Sequence, residues 1–222
     1  MPPNAQSLFT GNAAMQLIGQ FDSPFVRRVG IALEIYGMDY DHRPWSTFGD
    51  WERFVAHNPL RRVPTLVLDS GEALIDSAAI LDHLDEEFGR DRALIAPAGA
   101  ERRAALRRIA TATGTADKAV SFFYAKLFSP GLDQAFVART QAQIRAGLTA
   151  LEADCAAREG AWWHGAGPGH DDIAAACVTR FLSEAYTDTV RMDDYPALAA
   201  HCARAEGLTV FKAVSQPFIP PS

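Results

Sequence analysis

The first ninety residues carry two hydrophobic rhythms in turn. MQLIGQ, residues 15–20, is a short apolar run that predicts a buried strand. PFVRRVGIALEIYG, residues 24–37, puts Phe25, Val29, Leu33 and Tyr36 on one helical stripe with Gly37 as its stop. DYDHRP, residues 39–44, alternates like an edge strand. DWERFVAHNP, residues 50–59, predicts a short helix stopped at Asn58-Pro59, because proline disfavours the helical conformation in the residue before it. PTLVLDSGEALI, residues 64–75, reads as a hairpin turning at Asp69-Ser70-Gly71. DSAAILDHLDEEFG, residues 76–89, reads as a helix that buries Ala79, Ile80, Leu84 and Phe88 and stops at Gly89. The order βαβ, α, ββ, α predicts a mixed four-stranded sheet flanked by helices.

Strand signals vanish after RDRALIAPAGA, whose Pro97 and Gly99 mark a linker. Two long helices are predicted over 100–128 and 133–158, separated by SPGL, then a helix in HDDIAAACVTRFLSEA and shorter ones to about residue 213. The expected division is an extension at 1–14, an α/β unit at 15–90, a linker at 91–100 and an all-helical unit at 101–222. In GHDDIAAA a Gly stands three residues before Asp172, so a capping box there is incomplete, and His170 or Asp171 is the expected substitute cap.

Composition narrows the classes of function. With 222 residues and 48% hydrophobic side chains, the chain can bury a sizeable core without metal or disulfide support. Cys155, Cys177 and Cys202 lie far apart, with no CxxC pair and no zinc-ligand spacing, and read as small buried apolar residues. No signal peptide and no run of about 18 apolar residues is present, which predicts a cytoplasmic protein with no membrane partner. The net charge is −6, and residues 1–90 carry 7 basic against 13 acidic side chains, which excludes a nucleic-acid footprint. Arg27-Arg28 and Arg61-Arg62 are the basic pairs in that acidic half.

Three short pieces then share one half of the chain: Ser23-Pro24-Phe25 at the first strand-helix turn, Arg62-Val63-Pro64-Thr65 entering the third strand, and Asp76-Ser77 opening the third helix. Each has an ordinary reading of its own. Ser23 before a proline is a helix cap, Pro64 can simply begin a strand, Asp76 or Ser77 can cap, and the arginines can form a solvated surface. Taken together, in this order and spacing, they resemble the glutathione transferases, and most closely the serine-type tau-class and bacterial members. The resemblance covers roughly residues 15–215 and implies a thioredoxin-like domain followed by an all-helical one.

The resemblance also assigns roles. Glutathione, the co-substrate, would pair its cysteinyl backbone with Val63, made accessible by a cis bond before Pro64. Its γ-glutamyl carboxylate would meet Ser77 and its ammonium Asp76, and Arg62 would lie near the glycyl carboxylate. Relatives often carry Glu or Gln where Asp76 stands, and glycine where Leu60 stands. Ser23 has no visible His-Asp partner to make it a nucleophile, so its implied role is to donate a hydrogen bond to the glutathione sulfur and favour the thiolate. A weaker set, Phe25, Phe122, Phe123 and Tyr124, is expected to line the electrophile pocket, with Trp45 and Trp51 either there or at a dimer edge. The expected activity is conjugation to small hydrophobic electrophiles by a homodimer, without metal. The rivals are glutathione-dependent peroxide or disulfide reduction and a non-catalytic binding module.

Overall fold

The structure, a computed structural model, describes residues 15–220; the extension expected at 1–14 lies outside the described residues. Strand β1 (Gln16–Ile18), helix α1 (Pro24–Tyr36), strand β2 (Asp41–Arg43), helix α2 (Trp51–Phe54), strands β3 (Thr65–Val67) and β4 (Ala73–Ile75), and helix α3 (Ser77–Phe88) form the first half. The four strands lie in the order β2-β1-β3-β4, with β1 parallel to β2 and antiparallel to β3, and β3 antiparallel to β4. Helices α4 (Gly99–Phe128), α5 (Gln134–Ala156), α6 (His170–Ala185), α7 (Pro196–Glu206) and α8 (Thr209–Ala213) follow, with a single 3-10 turn at Met192–Asp194. This is the mixed four-stranded sheet and helical second half that the sequence predicts. Helix α2 is shorter than its pattern, ending at Phe54, and Asn58 instead serves the next loop.

Two apolar cores hold the molecule. One joins Leu17, Leu66, Val29 and Ile80 of the first half to Ile173, Cys177 and Phe211 of the second, so the halves share a core. The other lies within the helices around Phe122, Ile144, Leu148 and Leu182. Helix α1 is buried almost all round rather than along one stripe, because it is sandwiched between the sheet and α6. On α3 the buried set is Ser77, Ile80, Leu81 and Leu84; Ala79 faces solvent, since it falls off the i, i+3, i+4, i+7 stripe that begins at Ser77. Cys155 and Cys177 are buried as expected, whereas Cys202 is only half-buried, its Sγ 3.5 Å from the Ala176 carbonyl.

A polar seam fastens the halves. Asp85 accepts hydrogen bonds from the Tyr36 hydroxyl and the Leu94 N–H, and pairs with His170 Nε2 at 2.9 Å. The next bond runs from the His170 N–H to the Leu94 carbonyl, 2.8 Å. This approach requires Gly169, where a Cβ would stand 3.0 Å from the same carbonyl oxygen. The start of α6 therefore departs from the expected cap. His170 turns to Asp85 and Asp171 to Arg108 (2.8 Å), while Asp172 closes half a capping box by accepting the Gly169 N–H at 3.0 Å.

Candidate functional site

Ser23 sits at the N-terminus of α1 with extended backbone angles, and its Oγ accepts the Val26 N–H at 3.4 Å. That distance is at the long end for a cap. Among the described residues the hydroxyl donates to no protein acceptor. The turn before it is set by Gly19, at φ 129°, where a Cβ would lie 2.6 Å from Val26 Cγ2 and 2.8 Å from Val63 Cβ. Only glycine lets the start of α1 and the loop before β3 close over the end of β1.

That loop carries the second motif. The Val63–Pro64 peptide bond is cis, as the resemblance implies. Buried Asn58 braces the loop, donating to the Arg62 carbonyl at 2.9 Å and to Thr65 Oγ1 at 3.0 Å, and accepting from the Leu60 N–H at 2.8 Å. The left-handed position falls on Arg61 (φ 50°), not on Leu60, and the Arg61 guanidinium lies 4.3 Å from the Trp51 ring centroid. Asp76, the third motif, holds φ 72° with its Oδ1 accepting the Ala78 N–H at 2.8 Å. A non-glycine residue there is strained, and such strain tends to gather where geometry is being held for use.

The structure brings these motifs together around two adjoining cavities. A smaller one, about 210 Å³, is lined by Arg62, Val63, Pro64, Asp76 and Ser77, with Phe25, Arg28 and Asn58 and with Ile109, Thr113 and Asp117 of α4. A larger one, about 880 Å³, holds Asp22, Ser23 and Phe25 with Phe122 and Tyr124. Phe25, Arg62, Val63 and Asp117 belong to both walls. Trp45 and Trp51 both reach the larger cavity, and Arg62 crosses its mouth to meet Asp117 at 3.3 Å. Phe123 does not line either cavity. It packs, partly buried, against the helical core, edge-on to Phe218 at 5.0 Å between centroids.

Electrostatics differ between the cavities. Burial raises the carboxyl of Asp22, the neighbour of Ser23, above its ordinary range. Burial also raises the Tyr124 hydroxyl, and the Asp22 charge adds to that. Buried Arg28 is pushed down to about 10 by desolvation, so it stays charged at neutral pH. Sequence reasoning noticed the Arg27-Arg28 pair without separating its members. It also missed the chain's final stretch, where Phe218, Ile219 and Pro220 form part of the larger cavity's wall. The sole signal there is a pair of apolar residues in a tail with no helical period. Among the described residues no group of three His, Cys, Asp or Glu side chains could hold a metal ion, and no helix is long and apolar enough to cross a membrane.

Residues 17–92 match the family model for the glutathione S-transferase N-terminal domain, and residues 134–204 match that for the C-terminal domain. The chain is 38% identical over 79 residues to maleylacetoacetate isomerase of Pseudomonas aeruginosa, a match spanning 33% of this chain and 37% of that protein. With the probable glutathione S-transferase BZ2 of Zea mays it shares 30% identity over 224 residues, covering 92% of this chain and 83% of the relative. A solved glutathione S-transferase from Methylobacillus flagellatus, with glutathione bound, superposes with a TM-score of 0.83 at 28% identity, covering 92% of this chain and 100% of that one. With both domain models matched in order and a relative aligned along nearly its whole length, the chain belongs to the glutathione S-transferase family.

Proposed function

We propose that this protein binds glutathione in the smaller cavity and conjugates its sulfur to a small hydrophobic electrophile held in the larger one. The observation that carries the reading is the shared wall: Val63 and Phe25 border both cavities, and Ser23 stands just on the electrophile side. An extended tripeptide with its γ-glutamyl end at Asp76 and Ser77 and its cysteinyl backbone along Val63 would present its sulfur toward Ser23. No other backbone group of the described loops uses the N–H or C=O of Val63, which leaves an edge for peptide pairing.

The chemistry asked of the chain is modest. The free N–H groups and positive end of α1, with the Ser23 hydroxyl as donor, favour the thiolate over the thiol. The thiol proton leaves to solvent, the sulfur lone pair forms the new S–C bond, and the electrophile either expels its leaving group or opens its ring. Aromatic Phe122, Tyr124 and Trp45 give the larger cavity an apolar lining suited to that partner. Arg62, exposed at the mouth, would divide its charge between Asp117 and the glycyl carboxylate.

Disulfide chemistry through the protein's own thiols has no support in this geometry. None of the three cysteines lines either cavity, and burial pushes the Cys155 and Cys202 thiols up to about 12 and Cys177 to about 11. We further propose a cytosolic homodimer, using exposed apolar side chains such as Leu60 and Leu106. Light scattering should then return twice the 24.1 kDa chain mass. The decisive experiment is glutathione titration followed by a panel of aryl halides, epoxides and peroxides. Conjugate formation with the first two supports the proposal. Glutathione binding with turnover of peroxides alone would replace it by reduction, and no binding would leave a non-catalytic module.

A further inference from the structure

The wall of the larger cavity is not uniformly apolar. Three cations line it, Arg61 and Arg62 from the loop before β3 and Lys118 from α4, against two acids, Asp22 and Asp117. Arg62 is matched by Asp117 at 3.3 Å. Among the described residues Arg61 and Lys118 make no ion pair and no side-chain hydrogen bond. Asp22 does not compensate Lys118: its charge bears on Tyr124, and Lys118 stands six residues before Tyr124, about 9 Å along the axis of α4. Arg61 is held in place without being neutralised. Its guanidinium lies over the Trp51 ring, 4.3 Å from the centroid, an attraction through the face of the group that leaves its in-plane N–H donors free.

Both unmatched cations belong to one chamber and one edge of it. Arg62 and Asp117 border both cavities, whereas Arg61 and Lys118 border the larger one alone, together with the aromatic rings of Trp45, Phe122 and Tyr124. Because Arg61 precedes Arg62 and Lys118 follows Asp117, the Arg62–Asp117 bridge draws the two to the same side. An apolar chamber edged by two unmatched positive charges is complementary to a molecule with an apolar body and a negative group. We infer that Arg61 and Lys118 receive an acidic group of the second substrate, so that the electrophiles this cavity selects carry a carboxylate on an apolar body. This rests on the glutathione reading above and narrows its substrate class. The guanidinium supplies forked donors and the ammonium a point charge, a pairing suited to a planar carboxylate. With a carboxylated aryl halide the sulfur lone pair forms the S–C bond at the ring carbon that bears the halogen, and the halide leaves with the carbon–halogen bonding pair.

The test compares a chlorodinitrobenzoate, whose acid group stands across the ring from the chloride, with its methyl ester, each kcat/KM being divided by the uncatalysed rate with glutathione. At low salt the wild type should favour the acid by about tenfold, two charge pairs each toward the upper end for accessible groups, and the preference should shrink as salt is added. Lys118→Met and Arg61→Gln should each cut the preference by about three- to fivefold, through KM for the acid, and Lys118→Glu should abolish it. The ester's kcat/KM and the calorimetric glutathione dissociation constant should stay within about twofold of wild type, the range for a surface substitution. If Arg61→Gln disturbs its loop, glutathione affinity reports it and the two Lys118 variants carry the comparison. A wild type that conjugates both compounds without preference, or a preference that survives both Lys118 variants, overturns the assignment and leaves the proposed function standing. Weakened glutathione binding with the preference intact also overturns it, moving the cations to the glycyl carboxylate. A wild type that binds no glutathione, or binds it and conjugates neither compound, overturns both readings.

Discussion

The backbone N–H of Val26 points at Ser23 Oγ across 3.4 Å, so the hydroxyl accepts a weak capping bond while its own proton remains free to be donated elsewhere. The two roles separate on mutation. Ser23→Ala should lower stability by only about 0.5 kcal/mol, the low end for a lost cap. It should cut conjugation at pH 7 by roughly tenfold or more, with the deficit shrinking above pH 9, where a thiol of ordinary pKa near 8.5 ionises unaided. The pH profile of thiolate absorbance in the glutathione complex checks it; superimposable profiles for wild type and variant would leave Ser23 a cap and nothing more.

Asp76 offers a cleaner separation. Its Oδ1 caps Ala78 at 2.8 Å, a contact that Asp76→Asn can keep while losing the charge. We expect the melting temperature to stay within the equivalent of about 0.5 kcal/mol and glutathione affinity to fall by roughly tenfold, or about 1.4 kcal/mol. Unchanged affinity would mean that the ammonium is met elsewhere.

Phe123 and Tyr124 are adjacent in sequence and face different surroundings, one the helical core and the other the larger cavity. Phe123→Ala should therefore cost about 2 to 3 kcal/mol in urea unfolding, as partly buried aromatics do. Tyr124→Ala should leave stability nearly alone and change KM for the electrophile. Paired unfolding and steady-state measurements decide; a KM effect from the Phe123 variant in its folded form would contradict this placement.

His201 makes a pH prediction. It is fully buried, and Arg158 can only donate to its Nδ1, at 2.8 Å, so Nε2 carries the proton and gives it to the Asp172 carbonyl at 3.0 Å. Burial lowers the imidazole from 6.5 to about 4. The unfolded chain therefore binds the extra proton more readily, and this contribution to stability, complete above pH 6.5, is lost as pH falls toward 4. Between pH 7 and 5 the loss is about 2 kcal/mol. Asp172, raised by burial to about 7, pulls the other way over the same range, so the measurement is the difference between wild type and His201→Gln. The wild type should lose about 2 kcal/mol more than the variant on acidification, and parallel urea curves would show that the imidazole does not titrate as its burial dictates.

Most of the architecture was legible because local signals and tertiary packing agree. Ser23-Pro24 and Gly37 bracket α1 in sequence and in space, and Asp69-Ser70-Gly71 turns the hairpin between β3 and β4. What escaped was set by contacts far apart in the chain. The stripe on α1 hid its second buried face because α6 covers it, and nothing in residues 24–37 announces that partner. Gly169 replaces a capping side chain because Leu94, from the segment between α3 and α4, needs the space. Arg28 read as half of a basic pair, since only the fold distinguishes an arginine with Glu206 before it from one with a cavity.

The family's C-terminal model ends at residue 204, yet the larger cavity is walled as far as Pro220 by Phe218 and Ile219, in a segment anchored by the Phe218 N–H to Glu184 at 2.7 Å and by Gln216 to the Phe21 N–H at 3.1 Å. Phe218, though in no helix or strand, packs edge-on against Phe123 and Phe181 beside the helical core. Ile219 and Pro220, which join neither core, can therefore vary and reshape that cavity's wall while the sheet and the helical core stay as they are.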